Sequence, residues 1–242
     1  MSKSFFVDLT KCTACRGCQV ACKQWKKLPA EETKQRGTHQ NPADFSFTTY
    51  KLVRFNEVVD DGPLKWLFTP DQCRHCTEPP CKMVADQFDE RAVLVDETTG
   101  AVIYTEYTKA IPEDTLPDEM CPYNVPRRDP ESGVWGKCDM CIDRVHNGLK
   151  PACVLSCPTG AMNFGDRDEM LAMASARLEK VKKTNPQAQL CDEESVRVIF
   201  LTAYPPKQYN DHLLAQAPTF GPLNRRSLLA RFIKPSTSGL LG

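Results

Sequence analysis

The sequence contains no long apolar run. Its longest candidate, Val196–Leu201, is short and is interrupted by Arg197, whereas a membrane-spanning helix needs roughly 18 consecutive apolar residues. The chain also lacks an excess of either charge, because 31 basic and 31 acidic residues give a formal net charge of zero. Nucleic-acid binding depends on a strong positive field. We therefore expect a soluble chain with no transmembrane segment and no nucleic-acid partner.

Two further absences concern export and catalysis. The N-terminus shows no charged region followed by an apolar one, which a secretory signal would have, and a cysteine motif already begins at Cys12. The sequence has no glycine-rich phosphate loop, no nucleophile elbow and no paired-histidine zinc-protease motif. We therefore expect no catalytic site in this chain.

Cysteine, in contrast, is unusually abundant, with 13 residues in 242. The first four follow the spacing C-x2-C-x2-C-x3-C, which is typical of bacterial ferredoxins that bind cubane clusters. In this pattern three thiolates ligate one [4Fe-4S] cube, and the fourth, carried on the following helix, ligates a neighbouring cube. These four residues are Cys12, Cys15, Cys18 and Cys22.

The exchange of the fourth ligand requires a partner motif. A second group with the spacing C-x2-C-x11-C-x3-C, followed by Pro158, supplies it later in the chain. The exchange rule then predicts two complete ligand sets. Cluster 1 would be held by Cys12, Cys15, Cys18 and Cys157, and cluster 2 by Cys22, Cys138, Cys141 and Cys153.

The middle of the chain holds the ligands for a third cube. The predicted set for cluster 3 is Cys73, Cys76, Cys81 and Cys121. The same spacing rules place the ligands of a fourth cube at four positions without cysteine, namely Ala85, Ile111, Asp114 and Pro117. Since one whole site is missing and no site is left half-ligated, the sequence predicts three [4Fe-4S] clusters, with their iron bound by these same cysteines.

Other interpretations of the cysteines are a disulfide framework, which suits a secreted chain, and zinc. Paired C-x2-C units bind zinc, but the first motif would crowd four thiolates around one tetrahedral ion. Cys191 lies outside every motif, and we interpret it as a partly buried spare thiol. If the cysteines bind zinc, the chain would be a zinc-organised binding module. A free-standing redox sensor is a further alternative function.

The strand and helix patterns predict an α+β fold. A short strand over Phe5–Leu9 precedes the first cysteine loop, and one long amphipathic helix is predicted near the C-terminus, over Asp166–Lys183. Strand pairs or hairpins are predicted over residues 50–69, 93–104 and 129–136.

These elements predict a loop-rich, double ferredoxin-like fold with pseudo-twofold symmetry and inserted β-hairpins. With 12 Gly and 19 Pro, much of the chain is turn and loop. Residues 1–49 and 137–204 would form a ferredoxin-like lobe with clusters 1 and 2. Residues 50–136 would form an inserted second lobe with cluster 3, and residues 205–242 a C-terminal extension that contacts a partner.

The cysteine motifs and their surroundings resemble a known family, the iron-sulfur subunits of molybdopterin oxidoreductases. The resemblance rests on CTACRGCQVACKQW at 12–25, DQCRHCTEPPC at 71–81, CPYNVPR at 121–127 and KCDMCIDRVHNGLKPACVLSCPTGAMNFGD at 137–166. Two further segments, HQNPADF at 39–45 and VRVIFLTAY at 196–204, resemble the beta subunits of soluble, periplasmic, tungsten- or molybdenum-dependent formate dehydrogenases.

This resemblance implies an electron-transfer subunit. A large catalytic partner would carry molybdopterin with tungsten or molybdenum and would oxidise formate or reduce CO2. The external electron carrier would be a cytochrome c or another soluble protein. The complex would be exported folded to the periplasm on the partner's twin-arginine signal, and a cytoplasmic location is the alternative. The alternative function is the equivalent subunit of a reductase for nitrate, dimethyl sulfoxide, polysulfide or arsenate.

The resemblance also implies an order for the clusters. In relatives with four clusters, electrons pass from the catalytic subunit through the first-motif, last-motif, third-motif and second-motif clusters. In this chain the third of these is missing. Either cluster 3 follows cluster 2 directly in the relay, or it only stabilises its own lobe and electrons leave from cluster 2.

Overall fold

The computed structural model describes residues 2–60 and 62–216. Its strands are β1 Lys3–Asp8, β2 Leu52–Val58, β3 Lys65–Asp71, β4 Val93–Val95, β5 Val102–Tyr104, β6 Arg127–Arg128, β7 Trp135–Gly136, β8 Met162–Asp166, β9 Gln189–Cys191 and β10 Val198–Thr202. Its helices are α1 Gly17–Trp25, α2 Pro80–Ala85, α3 Pro117–Met120, α4 Ile142–His146, α5 Ala152–Leu155 and α6 Arg167–Lys182. Most of the predicted extension over 205–242 lies outside the described residues.

A four-stranded sheet in the order β8-β1-β10-β9 joins the two ends of the described chain. β1 pairs in parallel with β10 and antiparallel with β8, and β9 pairs antiparallel with β10. Every residue of β10 is buried, and in β1 only Lys3 is not. Strands covered on both faces are expected to be apolar without interruption. The runs FFV at 5–7 and VIFL at 198–201 meet that expectation.

The two faces of this sheet pack against different elements. On one face Phe6 and Ile199 pack against α6. On the other face Phe5 and Phe200 belong to an apolar core that includes the cysteines Cys18 and Cys153. The cysteine motifs at the two ends of the chain therefore meet on the face opposite α6.

Helix α6 forms where the sequence predicts a long helix. It begins one residue after the predicted start and ends one residue before the predicted end. Met170, Ala174 and Val181 are buried against the sheet, whereas Leu171 and Leu178 are only partly buried. Since β9 and β10 follow α6, it is not the C-terminal element of the described chain.

Three separate two-stranded antiparallel pairs form, and β2-β3 and β4-β5 lie in predicted hairpin regions. In the third pair, β6-β7, strand β6 lies just before the predicted region 129–136. β3 extends to Asp71, beyond the predicted end at Thr69, and so leads directly to Cys73. The result is a mixed α/β arrangement of small sheets and short helices, which is compatible with a ferredoxin-like fold. Within residues 2–60 and 62–216, no helix has the length and apolar character that crossing a bilayer requires.

Candidate iron-sulfur sites

The first cysteine motif lies in the loop between β1 and α1. The loop begins at Asp8, whose buried carboxylate accepts hydrogen bonds from the backbone N–H and the hydroxyl of Thr10 at 3.0 and 2.5 Å. Three of the cysteines predicted for cluster 1 come from this loop and from α1, and the fourth follows α5. All four line one cavity. They are Cys12, Cys15, Cys18 and Cys157.

The four cysteines predicted for cluster 3 line a second cavity. The end of β3 delivers the first two, α2 carries the third, and the fourth directly follows α3. They are Cys73, Cys76, Cys81 and Cys121. The structure therefore brings this predicted set together although it spans almost 50 positions of the sequence.

The four cysteines predicted for cluster 2 come together in the interior. Burial raises the pKa of Cys22, and the neighbouring thiols of Cys153 and Cys141 raise it further. Burial likewise raises the pKa of Cys138, and Cys22 makes the next largest contribution in the same direction. Three of the four are buried, and Cys138 is half-buried.

The three C-x2-C loops share one backbone feature. The second spacer residue of each loop, Ala14, His75 or Met140, has a positive φ of 54°, 46° or 65°. Non-glycine residues rarely adopt this conformation, and it is concentrated at functional sites. In two loops the backbone N–H of this residue donates a hydrogen bond of 3.4 Å to a cysteine sulfur, from His75 to Cys73 and from Met140 to Cys138. The loops are thus shaped to present N–H groups to thiolates.

Burial raises the pKa of most thiols in the three predicted sets. Burial raises the pKa of Cys12 to about 11 and those of Cys121 and Cys153 to about 12. Cys157 differs, because burial raises its pKa but donors that include the backbone N–H groups of Met162 and Thr159 lower it more. Iron ligation requires thiolates, so cluster binding must release the protons of the buried thiols.

The donors that line these two cavities suit a [4Fe-4S] cube. A tetrahedral zinc ion holds its sulfur ligands at about 2.3 Å. Across the described ranges 2–60 and 62–216, no three His, Cys, Asp or Glu side chains form a site for a single metal ion. Four cysteine thiols line each cavity, and in the third set the backbone N–H of His75 donates to Cys73 Sγ, so these donors fit a [4Fe-4S] cube.

Comparison with known proteins identifies the family. A family profile described as a 4Fe-4S dicluster domain matches residues 64–167. The formate dehydrogenase subunit beta of Megalodesulfovibrio gigas is 60% identical over 215 residues, which cover 89% of this chain and 100% of the relative. The chain belongs to the family of formate dehydrogenase beta subunits. It is therefore an iron-sulfur protein of the 4Fe-4S type and an electron-transfer subunit of an oxidoreductase.

Other members of the family give the same assignment. The formate dehydrogenase 2 subunit beta (cytochrome c-553) of Nitratidesulfovibrio vulgaris is 52% identical to this beta subunit, covering 88% of this chain and 98% of the relative. The nitrate-inducible formate dehydrogenase iron-sulfur subunit of Escherichia coli is 35% identical, covering 73% of this chain and 58% of the relative.

The three predicted cysteine sets of this beta subunit adjoin one another. Cys18 of the first set and Cys153 of the second belong to the same apolar core, and Cys18 contributes to the raised pKa of Cys153 after burial and Cys141. Cys138 of the second set packs against the core that contains Cys73 of the third. The second set therefore has neighbours in both of the others.

The positions at which the spacing would place the ligands of a fourth cube lie in two different environments. Ala85 and Ile111 are buried in an apolar core together with Val93 and Trp135. Asp114, in contrast, is exposed. Apolar packing thus occupies the interior of this part of the beta subunit.

Cys191 lies deeper in the structure than the sequence suggests. The predicted partial burial is wrong, since the residue is only 2% exposed. It ends β9, where it pairs with Phe200 of the central strand β10. Burial raises the pKa of its thiol to about 12, as expected for an inert thiol in an apolar core.

Two buried lysines lie near the predicted ligand sets, and the sequence indicates them much less clearly than it indicates the cysteines. Lys51 and Lys137 are 2% and 5% exposed. Lys137 directly precedes the cysteine motif at 138, and a flanking charge is its only signal. Lys51 precedes β2 in an ordinary alternating segment, so only the fold shows its burial.

Proposed function

We propose that this beta subunit relays electrons through three [4Fe-4S] clusters between a molybdopterin catalytic subunit and an external carrier. The catalytic subunit, with tungsten or molybdenum, would oxidise formate or reduce CO2. Cluster 1 would be ligated by Cys12, Cys15, Cys18 and Cys157, cluster 2 by Cys22, Cys138, Cys141 and Cys153, and cluster 3 by Cys73, Cys76, Cys81 and Cys121. The high identity to two formate dehydrogenase beta subunits over nearly their whole length supports this assignment.

The observation that carries the relay is the intermediate position of the second ligand set. Its Cys153 shares an apolar core with Cys18 of the first set, and its Cys138 packs against the core around Cys73 of the third. Such contacts favour electron transfer from cluster 1 to cluster 2 to cluster 3, and they argue against a third cluster that only stabilises its lobe.

The exposure of the thiols supports entry and exit at the two ends of this relay. Cys15 of the first set is exposed, and Cys76 and Cys121 of the third set are half-buried. The second set is the most buried of the three. We propose that the catalytic subunit docks near cluster 1 and the carrier near cluster 3.

The wider context follows from the family. The name of the Nitratidesulfovibrio vulgaris relative includes cytochrome c-553, which supports a cytochrome c as the carrier and a periplasmic location.

The shared left-handed residue in all three C-x2-C loops supports the double ferredoxin-like, pseudo-twofold fold. We propose that residues 1–49 and 137–204 form the lobe with clusters 1 and 2, that residues 50–136 form the lobe with cluster 3, and that the C-terminal extension contacts a partner.

Pulsed magnetic resonance on the purified complex tests the relay. We expect magnetic coupling between clusters 1 and 2 and between clusters 2 and 3, each stronger than any coupling between clusters 1 and 3. The variant Cys121→Ser should disturb only the coupling that involves cluster 3. Coupling of cluster 3 to neither neighbour, or purification without a molybdenum- or tungsten-containing partner, would contradict the proposal.

A further inference from the structure

Two lysine ammonium groups are buried without a carboxylate partner. Lys51 Nζ donates to the carbonyl oxygen of Pro70 and to the side-chain oxygen of Gln72, both at 2.6 Å. Lys137 Nζ donates to the carbonyl oxygen of Val102 at 2.5 Å and to that of Cys138 at 3.0 Å. Among the ion pairs of the described residues, none involves either lysine.

Lys51 adjoins the cavity of the first ligand set, and its charge also acts on thiols of the second. Pro70, which accepts one of its hydrogen bonds, lines the cavity of the first set. The charge of Lys51 acts on Cys12 and Cys18 of the first set and on Cys22 and Cys153 of the second, where it opposes the rise in thiol pKa that burial causes.

Lys137 lies between the second and third ligand sets. Its side chain lines the cavity of the third set, while its ammonium group bonds to the backbone of Cys138 in the second. The same ammonium also lies 4.7 Å from the ring centroid of Tyr104, a contact that favours its charged form.

A buried ammonium with only carbonyl partners is costly unless a negative charge lies near it. A cubane ligated by four thiolates is anionic and would supply that charge. A fixed positive charge also favours the reduced form, because reduction adds one more negative charge to the cluster. It therefore raises the reduction potential, as other nearby electrostatic groups do.

We propose that Lys51 and Lys137 are buried cations that each raise the potentials of the two clusters near which they lie, Lys51 for clusters 1 and 2 and Lys137 for clusters 2 and 3. This inference rests on the proposed three-cluster relay. Because one charge acts on two neighbouring clusters, it raises both of their reduction potentials.

Redox titration of the complex, followed by electron paramagnetic resonance, tests the inference with Lys51→Met and Lys137→Met. We expect Lys51→Met to lower the midpoints of clusters 1 and 2, and Lys137→Met those of clusters 2 and 3. Each reduction equilibrium should change by about tenfold, which is ~59 mV for a one-electron couple. The cluster that does not adjoin the substituted lysine should keep its wild-type midpoint.

Two sets of variants separate charge from shape. Lys51→Arg and Lys137→Arg retain the charge and should keep the wild-type midpoints. Lys82→Met removes a lysine that is next to a ligand, Cys81, but is partly exposed and paired with Asp86 at 2.8 Å. It should therefore leave all three midpoints near wild type.

The possible failures are distinguishable. Fewer than three cluster signals in the wild-type complex would refute the proposed function. Three signals with midpoints that do not change in the Met variants, or that all change equally, would overturn only the role of the lysines. A Met variant could also lose iron from only the two clusters that adjoin the substituted lysine. If the matching Arg variant keeps its iron, this loss supports the role of the charge. If both variants lose the same iron, the result contradicts that role.

Discussion

Asp71→Asn tests the buried ion pair that holds β3 in place before the Cys73 loop. The Asp71 carboxylate is 1% exposed and accepts hydrogen bonds at 2.7 Å from both Arg54 and Arg74. It also accepts from the backbone N–H of Gln72 at 2.9 Å and from the side chain of Asn210 at 3.1 Å. Asparagine keeps only one of the two oxygens, and its NH2 group would face donors.

The expected loss of stability is large because Arg74 cannot reach water. Its side chain is 1% exposed, and its guanidinium lies 4.5 Å from the ring centroid of Phe200 and 5.0 Å from that of Tyr123. Removing one partner of a buried ion pair costs about 3–5 kcal/mol. This corresponds to about 10²- to 10⁴-fold in the unfolding equilibrium.

The assay is anaerobic unfolding in guanidinium chloride, followed by visible absorbance and circular dichroism. Asp71→Asn should lower the midpoint strongly. The control is Asp89→Asn, because the ion-pair partner of Asp89, Arg91, is 65% exposed. Exposed ion pairs contribute little to stability. The unfolding midpoint of this control should therefore stay near that of the wild type. Equal midpoints for Asp71→Asn and the control would refute the structural argument.

The difference in stability between the wild type and Asp71→Asn should depend on pH with a defined sign. Burial raises the pKa of Asp71, but Arg74 and Arg54 lower it more, so that the net pKa lies below its ordinary value. The stabilisation is therefore present above the ordinary aspartate pKa of about 3.9 and is lost as pH falls through the folded-state value. The difference in the free energy of unfolding between the wild type and Asp71→Asn should be constant near neutral pH and should become smaller in acid.

Two further substitutions test the ligand assignment. Cys22→Ser should alter the resonance of the cluster with Cys138, Cys141 and Cys153 more than that of the cluster in its own loop, because the fourth ligand is exchanged; a change limited to the cluster of its own loop would contradict the exchange. Cys191→Ala should keep the full iron content but destabilise the protein by about 1–2 kcal/mol, since it removes a buried sulfur beside β10; loss of iron would show that Cys191 is a ligand.

The sequence contains enough information to predict the cysteine sets but not their surroundings. Ligand spacing within each motif is local and chemically specific, so the groups that begin at Cys12, Cys73 and Cys138 follow from the spacing, whereas Cys121 joins its set from a distant part of the chain. The strand runs at 5–7 and 198–201 are likewise clear, because both are apolar without interruption. Their parallel pairing is a long-range property that only the folded chain reveals.

Burial of single residues is harder to predict. Lys51 sits in TTYKLVRF, where an isolated lysine is typical of a solvated strand face, yet its ammonium is inside. Cys191 is followed by DEES, which suggests exposure, but its pairing with Phe200 places it in the core. The left-handed conformation of Ala14 has no glycine to indicate it.

The iron and acid-labile sulfide content of the beta subunit tests the central claim most directly. After separation from its catalytic partner under anaerobic conditions, the chain should contain about twelve iron and about twelve sulfide, because three complete sets of four thiolates each hold one [4Fe-4S] cube. About sixteen of each, or stoichiometric zinc, would contradict the three-cluster account.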